Sequence, residues 1–227
     1  MNTATRLLGA TILSLSVLGA PLARAAASDQ QEVVNRSQLV INDLRHDPEF
    51  GNARNLLHRA RAIMIVPRLT KGGFFVGGEG GNGVLMTQKS GGGWSEPAFY
   101  GIGSASFGLQ IGLEQSEVVM FIMSQKALDA LMHDQFKIGA DAGLAVVTLG
   151  SNVEAATTAA VGADIVVWAS SSGAYAGISL NGSIIKPQFD ADHAYYGPGV
   201  TQRDILFRGS VANPNASALV GALGGLG

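Results

Sequence analysis

The stretch GGFFVGGEGGNGVLM, residues 72–86, sets short apolar runs between glycines and decides how the rest of the chain reads. Glycine costs about 1 kcal/mol relative to alanine inside a helix, so a segment this rich in it is not helical. Its apolar residues are β-branched, aromatic or aliphatic in runs of two or three, which is the texture of strands joined by turns. Working outward, the spacing predicts strands near Phe74 to Gly78, Gly83 to Gln88, Trp94 to Gly103, Phe107 to Gly112 and Glu117 to Met123. Ser90-Gly91-Gly92-Gly93 is a hairpin loop. Further on, strands are expected at Ala142 to Leu149, Asp164 to Ser170, Ala174 to Leu180 and, after an Asn181-Gly182 turn, Ile184 to Lys186. Between the two β-rich blocks Ser124 caps a helix whose Ala127, Leu128 and Leu131 share a face, and His133-Asp134 ends it.

Towards the N-terminus the period changes from two to 3.6. Val33, Val34, Val40, Ile41 and Leu44 form one stripe of a helix from about Ser28 to Arg45, with Ser28 or Asp29 as N-cap. His46-Asp47-Pro48 interrupts it, and a second helix, starting at Asp47 or Pro48, puts Leu56, Leu57, Ala60 and Met64 on one side and Arg54, His58 and Arg61 on another. At the other end Thr201 to Phe207 reads as a short helix, and the Ala/Leu/Gly tail from Pro214 as a frayed helix or disorder. The expected fold is α+β: a single domain with a curved, mostly antiparallel, glycine-rich sheet or barrel-like core, N-terminal helices, and one helix between two β-rich blocks.

Residues 1–25 read as a secretory signal peptide. Arg6 precedes an apolar run from Leu7 to Gly19 that is shorter than the roughly 20 residues of a membrane-spanning helix, and Ala23 and Ala25 complete a small-x-small cleavage pattern. Cleavage there starts the mature chain at Ala26, with Ser28 as the next candidate; the domain then runs over 26–210 and the tail over 211–227. The expected location is periplasmic or secreted, with at most peripheral membrane association. Cysteine is absent, which removes disulfides, thiolate ligands and a thiol nucleophile. Taking Arg6 and Arg24 from the 15 basic residues leaves 13 against 17 acidic, a poor balance for nucleic acid.

Sites for chemistry are sparse. Gly78-Glu79-Gly80-Gly81-Asn82-Gly83 fits the dinucleotide pattern, but Val84-Leu85-Met86-Thr87 after it reads as strand where a phosphate-binding helix is needed, so no nucleotide is expected. Asp190, Asp192 and His193 could offer metal ligands but lack any recognised spacing, and a solvated turn after Pro187 accounts for them. No serine nucleophile elbow occurs. Trp94, Phe99, Tyr100 and Phe107 are read as core rather than as a stacking box, and Gln110 as either buried or surface. No cofactor, metal or enzymatic activity is expected. What remains is cationic: Arg54, Arg59, Arg61, Arg68 and Lys71 follow one another with no acid between them.

The segments GGFFVGGEGGNGVLM and WSEPAFYGIGSASFGLQIG (94–112), continued by Glu117 to Met123, AYAGISLNGSIIKP and Tyr195-Tyr196-Gly197, resemble the core motifs of the SYLF-domain family over roughly Ser28 to Phe207. That resemblance implies a non-enzymatic α+β domain that binds membrane lipids, with phosphoinositide ligands in eukaryotic members and actin binding in fungal ones. With a signal peptide in front and no SH3 or FYVE segment in the sequence, anionic phospholipid is the ligand carried over to an exported bacterial member. On that reading the headgroup-contacting residues are Arg54, His58, Arg59, Arg61, Arg68 and Lys71. A periplasmic structural or protein-interaction domain, with an envelope protein as ligand, is the alternative.

Overall fold

Ala62-Ile63-Met64-Ile65-Val66 opens a strand, and all five side chains are fully buried. An uninterrupted apolar run suits a strand covered on both faces, and β1 (Ala62–Gly73) lies near the middle of the sheet. The computed structural model describes residues 20–46, 50–73, 76–107, 112–140, 144–146, 162–171, 180 and 182–226. Within them β2 (Val76–Thr87), β3 (Ala98–Phe107), β4 (Gly112–Ile122), β5 (Phe136–Lys137), β6 (Leu144–Val146), β7 (Ile165–Ser171) and β8 (Ile184–Pro187) join β1 in the order β5-β8-β3-β2-β1-β4-β7-β6. Neighbours are antiparallel except β6 and β7.

Pro67 sits inside β1, where it has no N–H to give a ladder. The sheet answers with a bulge: between the pairs Ile65↔Val84 and Thr70↔Gly80, β1 carries one residue more than β2, and a matching shift falls between Val66 and Leu69 against β4. The bulged backbone leans into β2. A Cβ at Gly81 would stand 2.5 Å from the Arg68 carbonyl oxygen, and one at Gly83 would stand 2.3 Å from that of Ile65. Glycine at these two positions is therefore a steric requirement of the bulge.

The two faces of the sheet bury separate cores. On one, Ile63, Ile65, Val84, Met86, Val119, Phe121 and Trp168 meet α1 (Ala20–His46), α2 (Phe50–Arg59), α4 (Phe189–Tyr196) and α5 (Ser217–Gly224). On the other, Met64, Leu85, Tyr100, Val118 and Met120 meet α3 (Gln125–Leu131) and a π-helical turn at Asp204–Arg208. That second core also takes Phe136 from β5 and Val167 from β7, strands near opposite ends of the sheet, so the sheet curls around it. The α+β class and curved antiparallel core are as the sequence indicates. So are the Ser124 cap, whose hydroxyl accepts from the Ala127 N–H at 3.1 Å, and the 89–93 loop, closed by Lys89 N–H to Gly93 O at 2.9 Å.

Four local expectations need correction. α1 does not start at Ser28 but runs from Ala20. α2 stops at Arg59, so Arg61 and Met64 are not on it; Met64 belongs to β1 and faces the opposite core from Leu56, Leu57 and Ala60. The acidic segment after Pro187 is no solvated turn but α4, with Asp192 buried. The tail is neither frayed nor disordered: Pro214–Ala216 forms a 3₁₀ turn, α5 follows, and Leu219, Leu223 and Leu226 are buried beside α1. The Arg45 guanidinium donates to the Ala222 carbonyl near the end of α5 at 2.8 Å, satisfying one of its orphan acceptors. The expected Ala174 to Leu180 strand, most of Phe107 to Gly112 and Gln110 lie outside the described residues.

Candidate functional site

α2 is amphipathic as a helix of ten residues: Leu56 and Leu57 go into the core, while Arg54, His58 and Arg59 are exposed. Ala60 ends the buried face, and the chain then turns into β1 through Arg61. Arg61 is exposed too, but at the end of the sheet rather than on the helix. Its guanidinium donates to Gln125 Oε1 of α3 at 3.3 Å, and its carbonyl accepts from the Gln88 N–H at 2.9 Å. Those contacts set Gln125 and Gln88, the chain neighbours of exposed Lys126 and Lys89, against Arg61.

The remaining two expected cations go elsewhere. Arg68 lies six positions along β1 from Ala62, the residue after Arg61, about 20 Å away at the rise of a strand. It is exposed at the bulge, beside Thr70, Asn82 and the start of α1. Lys71 is half-buried, and the register sets it directly opposite Glu79 on β2 and Glu114 on β4. The acid-free run in the sequence thus acquires two acidic positions across the ladder. The six residues divide into a rim of Arg54, His58, Arg59 and Arg61, a separate Arg68, and a Lys71 in a mixed-charge setting.

Among the described residues, the face of the sheet that packs on α1 and α4 is open beyond them. There Gly80, Gly101 and Gly103 lie in a depression of about 760 Å³, bordered by Lys186, Pro187 and Gln188. A smaller depression of about 380 Å³ shares Gly80, Gly81 and Asn82 with it and reaches Asp29 and Glu32 on α1. Gln188 donates through Nε2 to Asn82 Oδ1 at 2.8 Å across the edge. The Gly78 to Gly83 segment that mimics a dinucleotide loop is continuous strand here, with no helix after it.

Most of the perturbed groups lie inside. Asp192 is 1% exposed. Its Oδ1 accepts from the Phe99 N–H at 2.8 Å, which docks α4 onto β3. Burial raises its pKa to about 7, although the Phe99 N–H and the Gln202 amide pull the other way. Oδ2 makes no hydrogen bond of normal geometry, and neither does Gln202 Nε2 beside it. Gln202 Oε1 accepts from the Tyr100 hydroxyl at 2.9 Å, and burial raises that phenol well above its usual range. Tyr195 packs edge-on to Phe99 with ring centroids 5.2 Å apart, and its hydroxyl donates to Gln31 Oε1 on α1 at 2.8 Å. These contacts tie α4 to both the sheet and α1. Asp190 and His193 are exposed on α4 while Asp192 points inward, and among the described residues no group of three His, Cys, Asp or Glu could hold a metal ion. Trp94, Phe99 and Tyr100 are buried, as a core reading requires. No helix among the described residues is long and apolar enough to cross a membrane.

The described residues thus form a helix-flanked, curled, glycine-rich sheet. Residues 103–226, more than half of the chain, match the family described as "Ysc84: Las17-binding protein actin regulator", and the chain belongs to that family, as its SYLF-like motifs indicate. It is 29% identical over 171 residues to "SH3 domain-containing YSC84-like protein 1" of Rattus norvegicus, covering 75% of this chain and 50% of that protein. It is 30% identical over 193 residues to "LAS seventeen-binding protein 3" of Saccharomyces cerevisiae, covering 82% and 41%. With "Protein YSC84" of the same yeast it shares 31% over 165 residues, covering 71% and 35%. The chain thus spans half or less of the length of these relatives.

Proposed function

We propose that this chain is a non-enzymatic lipid-binding domain of the bacterial cell envelope. After export and removal of residues 1–25 it contacts anionic phospholipid headgroups peripherally. The supporting observation is the division of labour on α2: Leu56 and Leu57 are buried while Arg54, His58 and Arg59 are exposed, with Arg61 exposed just beyond. Such charges can meet a membrane without disturbing the core. Each cation near an anionic surface contributes roughly 1 kcal/mol, and the attraction fades over about 8 Å at physiological salt. Three or four together give reversible attachment.

The test is co-sedimentation of the mature chain with phosphatidylglycerol or cardiolipin vesicles against phosphatidylcholine vesicles. Wild type is expected to bind the anionic vesicles and to weaken as salt rises, and an Arg54→Glu, Arg59→Glu, Arg61→Glu variant to lose binding while keeping its melting temperature. Equal binding by that folded variant defeats the proposal. The family description, with its actin regulator and Las17 partner, favours a second reading in that case: a protein-interaction domain whose ligand is another envelope protein. Intact-mass analysis of exported material is expected to begin at Ala26 or Ser28; a mass that retains Met1 to Ala25 defeats the export reading.

A further inference from the structure

We infer that Asp192, Gln202, Tyr100 and the Leu131 carbonyl form a proton-driven hydrogen-bond switch that carries the protonation state of α4 to the end of α3. α4 packs on one face of the sheet and α3 on the other, and these four groups make a path between them at the start of β3. There β8 hands its ladder to α4. The Gln188 N–H donates to Phe99 O at 2.9 Å, and Asp192 Oδ1 accepts from the Phe99 N–H at 2.8 Å, where a further strand residue would have offered a carbonyl. The other carboxyl oxygen is buried against the Gln202 side chain.

Donors and acceptors along this path do not match one to one. Tyr100 has a single hydroxyl hydrogen and two acceptors within reach, Gln202 Oε1 at 2.9 Å and Leu131 O at 3.0 Å. Asp192 Oδ2 and Gln202 Nε2 are both buried without a hydrogen bond of normal geometry. Leu131 O belongs to the last residue of α3 and has no partner inside its own helix. Two arrangements resolve the mismatch, and they differ by one proton. With Asp192 ionised, the amide turns Nε2 to Oδ2 and Oε1 to Tyr100, so the hydroxyl hydrogen goes to Gln202 and away from Leu131 O. With Asp192 protonated, a half-turn of the amide lets Oδ2–H donate to Gln202 Oε1 and Nε2 donate to the Tyr100 oxygen. The hydroxyl hydrogen is then released to Leu131 O. No other bond forms or breaks, and the proton exchanges with solvent.

Among the described residues Asp192 is in no salt bridge. Tyr100 on β3 and Tyr196 on α4 are the titratable groups coupled to it, and burial raises both phenols well above their usual range, so they stay neutral. Asp190 and His193 on α4 and Arg203 beside Gln202 are exposed, α1 contributes the neutral Gln31 through Tyr195, and Glu96 before β3 acts on Tyr195 and Tyr196. Burial raises the Asp192 pKa to about 7, so both arrangements are populated around neutral pH. α3 begins at Gln125, which accepts from Arg61 at 3.3 Å. The path therefore ends on the element that touches the α2 rim, whatever that rim binds.

The test follows the mature chain by NMR from pH 5 to pH 9. His133, exposed two residues after Leu131, is replaced throughout (His133→Gln) so that its own titration does not reach the carbonyl. The Phe99 amide, the Gln202 side-chain amide and the Leu131 carbonyl carbon are expected to titrate with one shared midpoint near neutrality. Asp192→Asn presents N–H where the protonated carboxyl presents O–H, so it should hold the Leu131 carbonyl at its acidic-limit shift at every pH. Tyr100→Phe and Gln202→Met should each leave Phe99 titrating while the Leu131 carbonyl no longer does. A merely structural cluster would change stability in these variants without making the parent's Leu131 carbonyl follow Phe99. If that carbonyl is flat across the range in the parent chain, or still titrates in the folded Asp192→Asn variant, the inference is overturned.

Discussion

Replacing Asp192 with asparagine should change how stability depends on pH. The carboxyl is 1% exposed, and burial raises its pKa from 3.8 to about 7. The folded chain therefore holds this proton where the unfolded chain has released it. The unfolded state binds fewer protons between these values, so this group's contribution to stability is greatest below about pH 4, falls as pH rises, and levels off above about pH 7. Three units at about 1.4 kcal/mol each come to roughly 4 kcal/mol. The substituted amide keeps an oxygen for the Phe99 N–H but has no proton to lose, so the Asp192→Asn variant should lack this slope. The assay is urea unfolding of both proteins from pH 5 to pH 8. The difference, wild type minus variant, should decline by roughly 1.4 kcal/mol per pH unit up to pH 7 and then flatten. Parallel profiles would show that Asp192 is not neutral in the folded chain at acidic pH, and the burial argument fails.

Leu219→Ala and Leu223→Ala should each cost about 2–5 kcal/mol, measured by chemical unfolding, because both are buried between α5 and the rest of the core; a surface tail would lose almost nothing. Gly83→Ala should cost at least about 1–3 kcal/mol, since the new methyl meets backbone rather than a flexible side chain, and its melting temperature should fall well below that of Gly80→Ala. Ser124→Ala should cost about 1 kcal/mol by removing the cap of α3, together with the hydroxyl's 2.5 Å hydrogen bond to Asp164.

Local chemistry made part of this fold legible. The loop before Trp94 and the Ser124 cap are decided within a few residues, by glycines with φ of 89° and 79° at Gly92 and Gly93 and by one hydroxyl. The α2–β1 boundary was not, because a strand buried on both faces has no alternation, and Leu56, Leu57, Ala60 and Met64 fall by chance at helical spacing. The tail misleads for a different reason. Glycine and alanine give it little intrinsic pattern, and its helix is held by packing against α1 rather than by propensity. Asp192 looks like a solvent residue until Phe99, 93 positions away, supplies its partner. The cationic set suffers likewise: sequence order shows that no acid separates Arg68 from Lys71, but only the ladder shows what faces Lys71.

The packing of α1 against α5 fixes when the molecule can close. Gln31 donates to the Asn215 carbonyl across 184 positions, and Arg45 to Ala222 across 177. Contacts this distant in sequence are slow to form and come late. A chain emerging from the ribosome has made nearly all of its sheet before the residues that seal its first helix exist, and until then the face carrying Ile63, Ile65 and Phe121 stays partly open to any chaperone or translocation machinery that recognises apolar surface.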